Sequence, residues 1–151
     1  MYKLAVIVVV CQVLVDQQTL AAVTKKKPAP KDVIKSLAQR CAGQFQLPPE
    51  KATLAFKDEL PQNEDEMCYF QCMYEGVRII NDSAYNKDGA MKYAKVIFEK
   101  PEDFEKASKV IQQCDKDIVK KTDGKDKCGL GKSVRDCFVK NGKEVNFFPH
   151  S

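Results

Sequence analysis

The stretch MCYFQCMYEG, Met67 to Gly76, decides the fold of this chain, because it places two cysteines four residues apart in a run suited to a helix. Residues at i and i+4 lie on one face of an α-helix, so the sulfurs of Cys68 and Cys72 point outward rather than at each other. The pair is therefore better placed to hold two other segments. A redox C-x-x-C motif needs two intervening residues, and a zinc site usually brings histidines or further close cysteine pairs.

The amino-terminal segment has the pattern of a secretory signal peptide, since Lys3 precedes an apolar run from Leu4 to Val15 and small residues follow. We expect residues 1–22 to be a cleaved leader and residues 23–151 to form a single domain. No later run approaches the roughly 20 apolar residues of a transmembrane helix. The sequence therefore predicts a secreted, extracellular protein without stable membrane insertion.

Cleavage of the leader removes Cys11 and turns seven cysteines into six. An even number in an oxidising compartment predicts three disulfides. The bridges could brace a hollow interior, or they could only protect a secreted protein, and the count leaves both readings open. The six are Cys41, Cys68, Cys72, Cys114, Cys128 and Cys137.

Helical periodicity dominates the chain, and no long alternating strand pattern is present, so the sequence predicts an all-α fold of about six helices. Prolines and capping residues mark several helix starts. The predicted helices cover about 31–45, 49–58, 63–80, 89–100, 101–118 and 126–140. The segment NDSAYNKDG, from Asn81, predicts a turn and contains a glycosylation sequon whose use the sequence leaves open.

Catalysis and metal binding have little support in the composition. The single histidine, His150, lies one residue from the end, and the carboxylates lack EF-hand spacing. We therefore expect no enzyme activity, no metal and no cofactor. Of the net charge of +4, three units come from Lys25 to Lys27, and the balanced remainder argues against nucleic acid as a partner. An alternative function is that of a secreted defence protein whose basic arm binds anionic membranes.

The cysteine spacing carries a family resemblance. Between successive mature cysteines lie 26, 3, 41, 13 and 8 residues, and this ordering resembles that of the six-cysteine odorant-binding proteins of insects. The resemblance implies a compact helical bundle around an apolar cavity, with three disulfides that pair Cys41 with Cys72, Cys68 with Cys128 and Cys114 with Cys137. It also implies a non-catalytic carrier of small hydrophobic ligands, such as odorants or pheromones, that delivers them to a membrane receptor.

Apolar residues with reach toward an interior are the candidate ligand contacts, although each is also explained as ordinary core. The tail after Asn141-Gly142 shows no helical spacing of its apolar residues, so they cannot be buried on one face of a local helix. We expect Val145 and the two phenylalanines there to fold back as a wall or lid. The candidate contacts are Leu54, Phe56, Met73, Val77, Ile80, Tyr93, Ile97, Ile111, Val134, Phe138, Phe147 and Phe148.

Overall fold

Six helices and one short hairpin make up the part of the chain that the computed structural model describes, which is residues 28–119, 127–143 and 145. The prediction of an all-α fold with six helical segments is confirmed. None of the described helices is long and apolar enough to cross a bilayer. The elements are α1 (Pro30–Gln44), a 3₁₀ helix (Pro49–Phe56), α2 (Glu64–Gly76), β1 (Ile80–Asn81), β2 (Ala84–Tyr85), α3 (Lys87–Ile97), α4 (Pro101–Val119) and α5 (Gly129–Asn141). The predicted leader, residues 1–22, and the basic arm, Lys25 to Lys27, lie outside the described residues.

Side-chain caps fix the amino ends of α2 and α3. The side chain of Asn63 accepts a hydrogen bond from the N–H of Glu66 at 2.9 Å, and that of Asn86 accepts one from Gly89 at 3.1 Å. Each cap satisfies a backbone donor that has no partner inside the helix. Prolines open three of the other helices, at Pro30, Pro49 and Pro101.

The third predicted helix is too long, because α2 ends at Gly76 rather than near Ile80. Arg78 adopts a left-handed φ of 62°, and the N–H of Ile79 donates to the carbonyl of Tyr74 at 2.8 Å. This is the bond of a Schellman motif, which closes a helix. The apolar residues beyond Gly76 continue the helical pattern, so the sequence does not reveal this ending.

A two-stranded hairpin follows α2 where the sequence predicts only a turn. Ile80 pairs with Tyr85, and Asn81 pairs with Ala84 in antiparallel register. The two residues between the strands have φ of 50° and 60°, and two positive values in succession are the mark of a type I′ hairpin turn. Strands of two residues are too short to show a sequence period, which explains why they were not predicted.

Helix α2 lies at the centre and packs against both α1 and α5, while α4 packs against α3 and α5. Aromatic rings fill the space where α2 meets α5. The rings of Tyr74 and Phe138 meet edge to face with centroids 5.9 Å apart, and Phe70 stacks on Tyr74 at 6.3 Å. Such pairs contribute about 0.5–1.5 kcal/mol beyond the burial of their area.

Disulfides join α2 to two different elements, α1 and the amino end of α5, and a third bridge joins α4 to α5. The two cysteines of α2 therefore hold other segments rather than each other. The bridges are Cys41–Cys72, Cys68–Cys128 and Cys114–Cys137, which are the pairs that the resemblance implies.

A glycine permits the close contact between α2 and α5. A Cβ added to Gly131 would lie 2.6 Å from the backbone nitrogen of Gln71 and 2.7 Å from its Cα. No side chain of Gln71 can relieve that contact, because the nearest atoms include its backbone. The α2–α5 interface is consequently closed at this point.

Candidate ligand-binding groove

The 3₁₀ helix returns along α1 after a connection of only four residues, 45–48. Gln46 has a left-handed φ of 53°, and the N–H of Leu47 donates to the carbonyl of Ala42 at 2.9 Å. A loop this short reverses the chain and is typical of an αα-hairpin. The two helices therefore form a hairpin with an open face between them.

A groove of about 770 Å³ lies along this hairpin, and we call it the α1–3₁₀ groove. Its volume falls in the range of about 300–1,000 Å³ that is typical of small-ligand sites. The apolar part of its lining consists of Ala38, Ala42, Leu47, Pro49, Ala52 and Phe56. The remaining lining residues are Lys31, Asp32, Lys35, Gln39, Gly43, Thr53 and Lys57.

The hydroxyl of Tyr69 anchors the 3₁₀ helix to α2. It donates a hydrogen bond to the carbonyl of Ala52 at 2.8 Å, and both groups are buried. Burial raises the pKa of Tyr69 well above its usual value, so the hydroxyl keeps its proton and remains a donor. Ala52 is thereby held at the groove floor.

Arg135 anchors the carboxyl end of the same helix to α5. The side chain is fully buried, and its Nε donates to the carbonyl of Glu59 at 2.9 Å. The guanidinium also donates to the carbonyl of Leu54 at 3.2 Å and to that of Lys57. Its central carbon lies 4.5 Å from the centroid of the Phe70 ring, which is a cation–π contact. One arginine thus ties the groove wall to the aromatic core.

A third polar contact joins the 3₁₀ helix to the amino end of α2. The ammonium of Lys51 lies 2.9 Å from Oε1 of Glu66, and the other carboxylate oxygen accepts the N–H of Gln62 at 2.8 Å. Burial opposes ionisation of Glu66, but the bonds from Lys51 and Gln62 outweigh it and hold its pKa below the usual value. The carboxylate is therefore charged at neutral pH.

A second groove, of about 670 Å³, lies between α1 and α3, and we call it the α1–α3 groove. Val77, Tyr93 and Ile97 are among its lining residues. Val33 and Val96 also line it, and they are 50% and 58% exposed. Part of this lining is therefore open to solvent.

The predicted ligand contacts are distributed over three regions. Phe56 lines the α1–3₁₀ groove, and Val77, Tyr93 and Ile97 line the α1–α3 groove. Six others pack into the buried hydrophobic core, and ligand contact by them remains a prediction: Leu54, Met73, Ile80, Ile111, Val134 and Phe138.

The tail is described only in part. Val145, which follows α5, is buried and packs with the core cluster. Phe147 and Phe148 lie outside the described residues, so the lid that we expect them to form stays a prediction.

The groove floor was missed because it consists largely of alanines. Large apolar side chains are the obvious candidates for ligand contact in a sequence, but in this fold most of them pack into the core and do not line the groove. A detectable signal does exist in α1, since Lys31, Lys35, Ala38 and Ala42 follow one another at spacings of four, three and four residues. That spacing puts two lysines and then two alanines on one helical stripe.

The chemistry available in the α1–3₁₀ groove is that of binding. Thr53 carries a lining hydroxyl, which donates to the carbonyl of Glu50 at 2.8 Å. The lining offers apolar surface, lysine ammonium groups and the carboxylate of Asp32. Within residues 28–119, 127–143 and 145, no three His, Cys, Asp or Glu side chains are grouped so as to hold a metal ion.

Comparison with known proteins places the chain in a family. The model of the PBP/GOBP family matches residues 24–141. Searches among curated proteins and among solved structures found no significant match. Members of the family are carriers of small hydrophobic ligands rather than enzymes, and the three disulfides fit its six-cysteine type. The resemblance predicted from the cysteine spacing is confirmed, and the chain belongs to the PBP/GOBP family of insect odorant- and pheromone-binding proteins.

Proposed function

We propose that this protein is a secreted carrier that binds one small hydrophobic ligand in the α1–3₁₀ groove. The observation that carries the proposal is an apolar lining, which includes the partly exposed Leu47, Pro49 and Phe56, inside a groove of about 770 Å³. Burial of an apolar ligand against such a lining is favourable by about 25 cal/mol for each Å² removed from water. The carrier needs no reacting group, because its task is to keep the ligand out of water and release it unchanged.

Secretion is the second part of the proposal. Six cysteines form three disulfides in the described part of the chain, and such bridges persist in oxidising compartments. The pattern of residues 1–22 supports export followed by cleavage of the leader. Mass spectrometry of the protein secreted by insect cells tests this, and a mature protein that retains Cys11 would contradict it.

The ligand site is tested by filling the groove at Gly43. A Cβ added to this glycine meets no atom within 4 Å, so a larger side chain enters open space. We expect Gly43→Phe to occupy the apolar end of the groove and to weaken ligand binding about tenfold, which corresponds to about 1.4 kcal/mol. The measurement is saturable uptake of a fluorescent naphthylamine probe and its displacement by dodecan-1-ol.

Gly43→Ala is the matched control, because it adds a Cβ without filling the groove. It should bind the probe as the wild type does, while the reduced protein should lose saturable binding. Equal affinities in Gly43→Phe and Gly43→Ala would place the ligand elsewhere in the molecule. Absence of saturable uptake by the folded wild type would contradict the carrier function itself.

A further inference from the structure

The charged residues that line the α1–3₁₀ groove gather at one of its ends. Lys31 and Lys35 lie in the first two turns of α1, and Lys57 directly follows the 3₁₀ helix. The eight residues of the 3₁₀ helix span about 14 Å along its axis, which is the length of about nine residues of α-helix. Because a four-residue loop reverses the chain, we place the end of the 3₁₀ helix near Lys35, and Lys31, Lys35 and Lys57 all line the same groove.

The opposite end of the groove is uncharged. Gly43, Leu47 and Pro49 line it near the connection between the two helices, and Ala42 adds to its floor. The groove therefore changes along its length from a cationic end to an apolar end. A ligand that fits both ends has an apolar chain and a polar head.

The charge at the first end is positive. Three lysines and one acidic residue, Asp32, line it, so its formal charge is 3 − 1 = +2. Lys57 lies 3.5 Å from Glu59, but both side chains are more than half exposed, and such a pair contributes little. Neither Lys31 nor Lys35 forms an ion pair with a described residue.

The amino end of α1 adds to this positive potential. Aligned peptide dipoles place a partial positive charge at the start of a helix. The N-cap residue, Ala29, provides no side-chain acceptor for the first N–H groups. An anionic head near Lys31 would therefore meet the lysine ammonium groups and the helix dipole together.

From this polarity, and resting on the proposed function, we infer that the groove selects single-chain amphiphiles with an anionic head, namely free long-chain carboxylates. The alkyl chain lies along Leu47, Pro49 and Phe56, above the buried alanines, and the carboxylate lies at Lys31, Lys35 and Lys57. Charge complementarity fixes the direction in which the ligand enters. An uncharged alcohol of the same length makes the same apolar contacts without the charge pairing.

The test compares dodecanoate with dodecan-1-ol, which share one alkyl chain. In low salt, wild-type protein should bind dodecanoate about five- to tenfold more tightly, because its carboxylate pairs with the exposed lysine ammonium groups. The preference should shrink as sodium chloride is added. The variant K31Q/K35Q/K57Q should bind the two probes equally.

The control variant K95Q/K106Q/K116Q removes three exposed lysines that do not line the groove, and it should keep the wild-type preference. An equal or weaker affinity of wild-type protein for dodecanoate, or a preference that survives in K31Q/K35Q/K57Q, would overturn the inference. The protein could instead co-sediment with phosphatidylglycerol vesicles in a way that requires these lysines, without preferring free dodecanoate. That result would show that the lysines bind a membrane surface, and it would also overturn the inference. If the wild type binds neither probe, both the carrier function and this inference are contradicted. If it binds both probes equally, only this inference is contradicted, and the carrier function is supported.

Discussion

Gly131 and Gly43 lie in two regions of this molecule that differ in how tightly they are packed. A Cβ at Gly131 would be 2.6 Å from the backbone nitrogen of Gln71, so α2 and α5 leave no space between them. A Cβ at Gly43 would meet nothing within 4 Å, because this glycine is exposed at the edge of the α1–3₁₀ groove. The molecule therefore has a closed region where α2 meets α5 and an open region between α1 and the 3₁₀ helix, where we propose that the ligand binds.

The two regions are also held together by different forces. Two of the three disulfides have one end in α2, and the third joins α4 to α5. None of them joins the 3₁₀ helix to another element. The 3₁₀ helix is instead held by hydrogen bonds from Tyr69 and Arg135 and by the ion pair of Lys51 with Glu66. Covalent bridges thus fix the closed region, and polar contacts hold one wall of the open region.

The largest effect is expected from Arg135, because it connects the two regions. Arg135→Met removes the donors to the carbonyls of Leu54, Lys57 and Glu59 and leaves these acceptors without that partner. We expect the free energy of unfolding to fall by about 3 kcal/mol, as measured by urea denaturation with the disulfides intact.

Hydrogen exchange sharpens this prediction, since the amides of the 3₁₀ helix should lose protection before those of α5. Arg135→Lys keeps the charge but loses the planar fork of donors, so it should be less destabilised than Arg135→Met. A loss of less than about 1 kcal/mol in Arg135→Met would show that the wall is held by other contacts.

An intermediate effect is expected from the two glycines. Gly131→Ala must push α2 and α5 apart, and overpacking of this kind costs about 1–3 kcal/mol. Gly43→Ala adds a methyl group in open space and improves helix propensity, so it should stabilise the protein by about 0.5–1 kcal/mol. The midpoint of urea unfolding measures both. Equal shifts in the two variants would remove the distinction between a closed and an open region.

The smallest effect is the pH dependence that Glu66 contributes. Its folded-state pKa lies below the usual glutamate value of 4.5, so its contribution is present above that pH and is lost as the pH falls through the folded pKa. Protonation weakens the contact with Lys51, and the effect should be small because Lys51 is exposed and screened by solvent. Unfolding free energies of wild type and Glu66→Gln, measured between about pH 6 and about pH 3, should converge in acid. A constant difference across this range would exclude the carboxylate as the cause.

Helix number and type were predictable because the signals are local. Pro49, Asn63 and Pro101 mark helix starts in any context, and apolar periodicity between them indicates helices. The end of α2 was not predictable, since Arg78 takes a left-handed φ that favours glycine, and tertiary packing holds it there. The disulfide pairing required the family resemblance, because six cysteines allow about fifteen pairings.

The candidate site was less predictable than the fold. Large apolar residues such as Met73, Ile111 and Phe138 pack into the core. Ala38, Ala42 and Ala52 are buried as well, but they also border the groove. Whether a buried alanine borders a groove depends on how the neighbouring helices pack over it. That property belongs to the tertiary structure and is absent from local sequence.

The most direct test of the central claim is to detect the ligand at the alanines themselves. Protein labelled with ¹³C in the alanine methyl groups can be titrated with dodecan-1-ol, and intermolecular NOEs can be measured from the alkyl chain. We predict NOEs to Ala38, Ala42 and Ala52, which border the groove although they are buried, and none to Ala94 and Ala107, which are buried and do not line it. NOEs to Ala94 and Ala107 without any to the groove alanines would contradict the account and place the ligand inside the helical core.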